Sequence, residues 1–319
     1  MLRAFLLYLS NARWARSAVT HGRFARRAAA RFVAGETLDD AIRAVRALEG
    51  RGMVATLDHL GEHVSNETAA RAAAGDYADI LDRICAAGVR SNASLKLTQL
   101  GLVVDMDLCV ENLRRVVAKG AECGIFIRID MEDSSTVDRT LAAYRALRAQ
   151  GLTNVGLVIQ AYLYRSQEDV RALLAEGARV RLCKGAYKEP PQVAFPKKAD
   201  VDRSYDALAA MMIEAAVGHS GETSSPDGRI PAPAAFATHD PQRIAFARSF
   251  AEQVGLPKRA LEFQMLHGIR GDLQQMLANA GYPVRVYVPY GTEWYPYVVR
   301  RLAERPANLW FFLSNLLRG

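Results

Sequence analysis

The sequence predicts an α/β chain folded as a (βα)8 TIM-like barrel with N-terminal helices. Three observations lead there. Eight short apolar runs recur along the body of the 319-residue chain, each of about the length of a strand buried on both faces. Longer amphipathic stretches separate them. Capping residues and glycines fall where those stretches would begin and end.

The predicted strands are 52–58, 92–98, 124–130, 154–160, 178–184, 234–239, 260–266 and 284–290. Most are rich in Val, Ile or Leu. Between them, Asp105 or Asp107 opens a helix over 108–122, Ser134 and Ser135 open one over 136–149, and Ser166 opens one over 167–175. Asp240-Pro241 opens 242–254, with proline at a first-turn position. Gly88, Gly124, Gly151, Gly177, Gly255 and Gly281 fall near helix ends. With a last helix over 293–304, the count is eight strands and eight helices, which favours a closed barrel over a doubly wound sheet. The stretch 218–233 reads as a flexible surface insertion before the sixth strand.

Charge divides the chain in two. Residues 1–35 hold seven arginines and no acid, which accounts for the whole net charge of +7. The expectation is a basic N-terminal helical arm (1–35) on a neutral catalytic barrel (36–319). A neutral body argues against nucleic-acid binding. The arm also carries Phe5, Leu6, Leu7, Tyr8, Leu9 and Trp14, which would suit a transit peptide, an anionic membrane surface or a plain packed helix pair. No apolar run reaches membrane-spanning length. Four cysteines without C-x-x-C spacing suggest no structural disulfide, no metal site and a reducing, cytoplasmic setting.

Barrels of this kind carry their working groups at the C-terminal ends of the strands. Those ends here offer Lys96, Arg128, Asp130, Gln160, Arg181, Lys184, Thr238, His239, Gln264, Tyr287 and Tyr290. In Arg181-Leu182-Cys183-Lys184-Gly185, alternation sends Arg181 and Lys184 to opposite faces, and the glycine permits close approach of a ligand. Lys96 needs an anion, for which Asp130 on the next strand is a candidate. The run Tyr297-x-x-Arg300-Arg301-x-x-Glu304 places two guanidiniums about 100° apart on the last helix. Such a pattern is most often a solvated, salt-bridged face. It grips a carboxylate only if the helix reaches the barrel mouth. Gly50-Arg51-Gly52 precedes its strand, so it is no dinucleotide fingerprint. On chemistry alone a Schiff-base lyase using Lys184 or Lys96 and a non-catalytic amino-acid-binding barrel both remain open.

Several segments, in order, narrow this. SLKLTQLG, IRIDMEDS, VIQAYLYR, RLCKGAYKEP, FATHD, FQMLHGIRGDL and VYVPYGTEWYPYVVRRLAERPAN resemble the proline dehydrogenase family in its short, monofunctional form, over roughly 35–316. The resemblance implies a barrel that holds FAD without a Rossmann domain. It implies oxidation of L-proline to 1-pyrroline-5-carboxylate by hydride transfer from C5 to flavin N5, the first step of proline catabolism, with a membrane quinone as the onward acceptor. It places Lys96, Arg300 and Arg301 on the proline carboxylate, and Tyr287, Tyr297 and Leu266 against the ring. Asp130 and Arg181 become active-site residues. Met131, Gln160, Lys184, Gly185, Ala186, Thr238 and His239 become FAD contacts. Glu62 becomes a gate paired with Arg300, and Glu304 lies on the helix framing the substrate. Peripheral contact at the inner face of the membrane would bring the quinone within reach.

Overall fold

The computed structural model describes residues 29–61, 64–218 and 223–304, with side chains as far as Arg301. Eight parallel strands close into a barrel in chain order: β1 (Val54–His59), β2 (Ser91–Lys96), β3 (Ile127–Asp130), β4 (Val155–Gln160), β5 (Val180–Cys183), β6 (Ala234–Ala237), β7 (Leu261–Leu266) and β8 (Val284–Tyr290). The ring shuts where β1 pairs with β8, Val54 facing Arg285 and His59 facing Tyr290. Helix α1 (Leu38–Glu49) precedes β1. Helices α2 (Glu67–Ala87), α3 (Met106–Glu122), α4 (Val137–Ala149), α5 (Ser166–Ala175), α6 (Lys198–Gly218), α7 (Pro241–Gln253) and α8 (Gly271–Asn279) connect successive strands. Helix α9 (Trp294–Glu304) follows β8.

All eight predicted strands are present, and local chemistry sets most of the helix ends. Asp105 accepts from the Leu108 amide at the start of α3, and Asp240 accepts from the Gln242 amide with Pro241 in the first turn of α7. The six glycines expected at helix ends all take positive φ. Two starts differ. Asp133, not a serine, caps the short 3-10 turn that leads into α4. Ser166 is the first residue of α5, after Arg165 at the cap, and its hydroxyl donates to the Gln160 carbonyl (2.6 Å), tying the helix to the end of β4.

The barrel interior is charged as well as apolar. Arg128, Glu262 and Arg285 are fully buried. Arg285 pairs with Glu262 (2.9 Å) and donates to the carbonyls of Ala55 and Gly228 (2.8 and 2.9 Å). Arg128 donates to the Leu157 carbonyl (3.0 Å) and stacks on Phe126. Gly156 makes room for it: a Cβ there would meet the Phe126 ring and the Arg128 guanidinium.

These buried charges correct the reading of 218–233 as a surface insertion. Gly228, Pro231 and Ala232 are buried. The Gly228 carbonyl caps Arg285, the Pro231 carbonyl caps Arg179 (2.7 Å), and the Ala232 amide donates to Glu262 (3.3 Å). The described part of the segment closes the barrel floor, because buried guanidiniums need acceptors that the strands alone do not supply.

The cysteine expectation is also corrected. Cys85, in the last turn of α2, and Cys123, just after α3, form a disulfide with Cα atoms 5.9 Å apart. Packing of adjacent helices brings them together across 38 residues, which spacing along the chain does not reveal. The bond removes the cysteine argument for a reducing compartment.

Burial alone would push the Glu262 carboxyl up, but Arg285 and the hydrogen bonds around it hold it below the ordinary glutamate value of 4.5. A depressed carboxylate stabilises the fold above that value and loses this contribution as pH falls. Glu262→Gln should therefore cost about 3–5 kcal/mol at neutral pH, because buried Arg285 loses its counter-ion. Thermal unfolding followed from pH 7 downward should show the native protein losing stability below about pH 4.5 more steeply than the variant. Parallel curves would remove Glu262 from that role.

Candidate active site

Strand ends, loops and α9 surround one cavity of about 630 Å3 at the C-terminal mouth of the barrel. Of the residues singled out in the sequence, it gathers Lys96, Asp130, Met131, Gln160, Arg181, Lys184, Gly185, Ala186, Thr238, His239, Leu266, Tyr287 and Arg301. Its size lies in the range of cofactor and ligand sites.

Asp130 is the hub. It accepts from Arg181 (2.8 Å), from the Tyr287 hydroxyl (2.8 Å) and from Ser94 (2.8 Å). Arg181 also donates to Gln264 and lies 5.5 Å from the centre of the Tyr287 ring. Burial, then Asp130 and Asp58, push the Tyr287 phenol well above its ordinary value, so it remains a donor.

Lys96 pairs first with Asp58 (2.9 Å) and only then with Asp130 (3.8 Å). Burial opposes the ammonium charge, but the two carboxylates outweigh it and hold Lys96 protonated well above the usual lysine range. Asp58 is the main residue the sequence reading missed. It lies next to the last residue of β1, belongs to no motif, and is only 1% exposed. The one available signal was that Lys96 lies on the adjacent strand, with Asp58 in register with Ser94. Ser94, which donates to Asp130, escaped singling out for the same reason, whereas Gln264, noted at the end of its strand, proves to accept from Arg181.

A second cluster flanks the mouth. Lys184 is clamped between Asp202 and Asp240. Lys198 joins Asp202, and Arg243 pairs with Asp206 (3.0 Å). Three cations face three carboxylates, so the Lys184 charge is compensated within the protein. His239 accepts from the Leu266 amide through Nε2 (3.0 Å), which leaves the ring proton on Nδ1. Gly185 has φ +109°, and a Cβ there would land on the Tyr162 ring. Only glycine allows the chain to turn here after β5. Burial pushes the Cys183 thiol at the mouth up to about 12, so it is no thiolate nucleophile.

Helix α9 divides its residues. Arg301 lines the cavity, with its guanidinium 5.4 Å from the Tyr297 ring centre. Tyr297 is buried beside it. Arg300, which the resemblance placed on the carboxylate beside Arg301, is exposed and lies outside the cavity lining; its charge reaches Tyr187 at the rim. Neighbouring residues on a helix point about 100° apart, so one faces inward and the other outward. Glu62 and the side chain of Glu304 lie outside the described residues.

On the cavity wall, Arg181 Nη2, a donor, and Gln160 Oε1, an acceptor, are buried without a hydrogen-bond partner among the described residues. Leaving such groups unsatisfied is costly, so a ligand offering both an acceptor and a donor is expected there. With apolar Met131, Val158 and Met265 alongside, these residues fit the edge of a flavin ring.

Fold and mouth together define a (βα)8-barrel protein with charged groups gathered around one deep cavity at the strand C-termini. A family model for proline dehydrogenase matches residues 41–312. The chain is 39% identical to proline dehydrogenase 1 of Bacillus subtilis (strain 168) over 100% of both chains. It is 42% identical to the proline dehydrogenase of Deinococcus radiodurans over 91% of this chain and 90% of that one. Among solved structures it resembles proline utilization A (PutA) from Bdellovibrio bacteriovorus inactivated by N-propargylglycine. The TM-score is 0.77 at 27% identity, over 87% of this chain but only 32% of that much longer one. The chain belongs to the proline dehydrogenase family, in its short form.

Proposed function

We propose that the chain oxidises L-proline to 1-pyrroline-5-carboxylate, with FAD as its cofactor. The observation that carries this reading is that Arg301, from the last helix, and Lys96, Asp130, Arg181 and Tyr287, from four different strands, line one cavity.

Proline offers a carboxylate and a secondary amine in one small ring. Arg301 and Lys96 would hold the carboxylate, Arg301 as a planar fork and Lys96 as a point charge, with Arg300 drawing anions in from the rim. Tyr287, Tyr297 and Leu266 would enclose the ring carbons and fix the reacting carbon, which supplies orientation. Tyr297 would crowd a 4-hydroxyl and so favour proline over its hydroxylated form. Met131, Gln160, Gly185, Ala186, Thr238 and His239 would hold FAD, with Arg181 and Lys184 beside it. Bound there, FAD would accept the hydride from C5 of proline and pass electrons to a membrane quinone. Loss of that hydride leaves a cationic iminium on the substrate, and the Asp130 carboxylate lies on the cavity wall to stabilise it.

The division into an arm (1–35) and a barrel (36–319) belongs to the same proposal. So does cytoplasmic placement with peripheral contact at the inner face of the membrane. No helix among the described residues is long and apolar enough to cross a membrane.

A Schiff-base lyase would need a lysine with a depressed pKa, and Lys96 is shifted the other way. An anaerobic visible spectrum decides between the readings. A yellow protein bleached by proline supports ours. Colourless protein trapped by borohydride with an aldehyde supports the lyase, and proline binding without reduction of any acceptor supports a passive binding barrel.

A further inference from the structure

Helix α9 carries Arg301, yet its apolar face does not belong to the main barrel core. Trp294, Tyr297 and Val298 pack instead in a separate cluster with Phe32, Val33 and Ile269. Phe32 is 1% exposed within this cluster, so the segment 29–36 forms the floor on which α9 rests.

That segment is fastened on two sides. The Ala34 amide donates to the Pro289 carbonyl of β8 (2.9 Å), and the Gly291 amide donates to the Gly35 carbonyl (3.0 Å). The Trp294 indole donates to Glu36 (3.2 Å). On the other side, Arg31 donates to the Gly268 carbonyl (3.4 Å), in the loop after β7. Gly268 has φ +70°, and a Cβ there would land on the Arg31 carbonyl oxygen. The approach of the two backbones therefore requires glycine.

The same cluster touches the cavity. Leu266, on the cavity wall, packs against it, and Tyr297 within it carries the Arg301 guanidinium. We propose that residues 29–36 are a brace that positions α9, and through it Arg301, for the substrate carboxylate, with Phe32 as the positioning residue. This rests on the reading of Arg301 as part of the carboxylate clamp. The strand ends that would hold the cofactor are supported by the barrel core and do not depend on the brace. Loss of the brace should therefore separate substrate binding from cofactor binding.

The test uses the full-length flavoprotein with Phe32→Ala, Phe32→Leu and Gly268→Ala, beside Arg301→Met as reference. Phe32→Ala should raise the KM for proline about tenfold or more, since misplacement by an ångström carries penalties of that order or larger. The flavin-to-protein absorbance ratio should stay within about twofold of the parent, because the residues proposed to hold the cofactor lie outside the brace cluster. Phe32→Leu should restore most of the affinity. Gly268→Ala should reproduce the KM effect with every apolar brace residue intact, and it carries the test should Phe32→Ala fail to fold. The brace is overturned if KM is unchanged in the variants that fold. It is also overturned if flavin is lost in step with KM and leucine does not rescue. If Arg301→Met itself leaves KM unchanged, the clamp reading fails and the brace has nothing to position.

Discussion

Arg301→Met is expected to raise the KM for proline about 10- to 150-fold while flavin remains bound. The range follows from losing a hydrogen bond to a charged group, worth about 1.5–3 kcal/mol. The mutation acts on substrate because Arg301 reaches the cavity from α9, whereas the groups proposed to hold FAD come from β3 to β6 and the loops after them. Methionine keeps the aliphatic stem against Tyr297, so packing is largely preserved. Steady-state kinetics with the flavin-to-protein ratio checks this. Loss of FAD at unchanged proline affinity would contradict the assignment. Arg300→Met, on the exposed side of the same helix, should have the smaller effect, and a smaller one still at high salt.

Arg181→Met should act on kcat, by about 100- to 1,000-fold, the usual cost of removing a preorganised charge from a reacting centre. Arg181 Nη2 is buried at the cavity without a partner, while its other nitrogens hold Asp130 and Gln264. Removing it takes away a cation beside the proposed flavin and leaves Asp130 without its nearest guanidinium. A shifted flavin absorbance and a lower reduction potential should accompany the fall in kcat. Thermal stability should also drop, by up to about 3–5 kcal/mol, because Arg181 is only 5% exposed and its loss breaks a largely buried pair. If KM rose instead, with kcat and the flavin spectrum unchanged, Arg181 would belong to the substrate clamp.

Much of this was legible along the chain because the signals are local. The eight strands announce themselves by short apolar runs, and Asp105, Asp240 and the helix-end glycines act within a turn of where they stand. Lys96, Arg181 and His239 stood out because a polar group at the end of an apolar strand must face something. Asp58 and Ser94 gave no comparable signal, since their meaning lies in what closes over them. The 218–233 segment looked like a surface loop because its composition is that of a turn. Its carbonyls are needed only because Arg285 and Arg179 lie within reach of them.

The sequence by itself determined the order of the elements, where most helices begin and end, and which residue types stand at the strand tips. Those are decided by steric and hydrogen-bonding preferences between residues a few positions apart. Only the tertiary structure decided that Lys96 takes Asp58 before Asp130, that Lys184 is matched by two carboxylates, that Arg301 and not Arg300 faces the cavity, and that Cys85 meets Cys123. Each depends on how β1 closes against β8 and how one helix leans on the next, and electrostatic pairing is sensitive to ångström distances that no local pattern encodes.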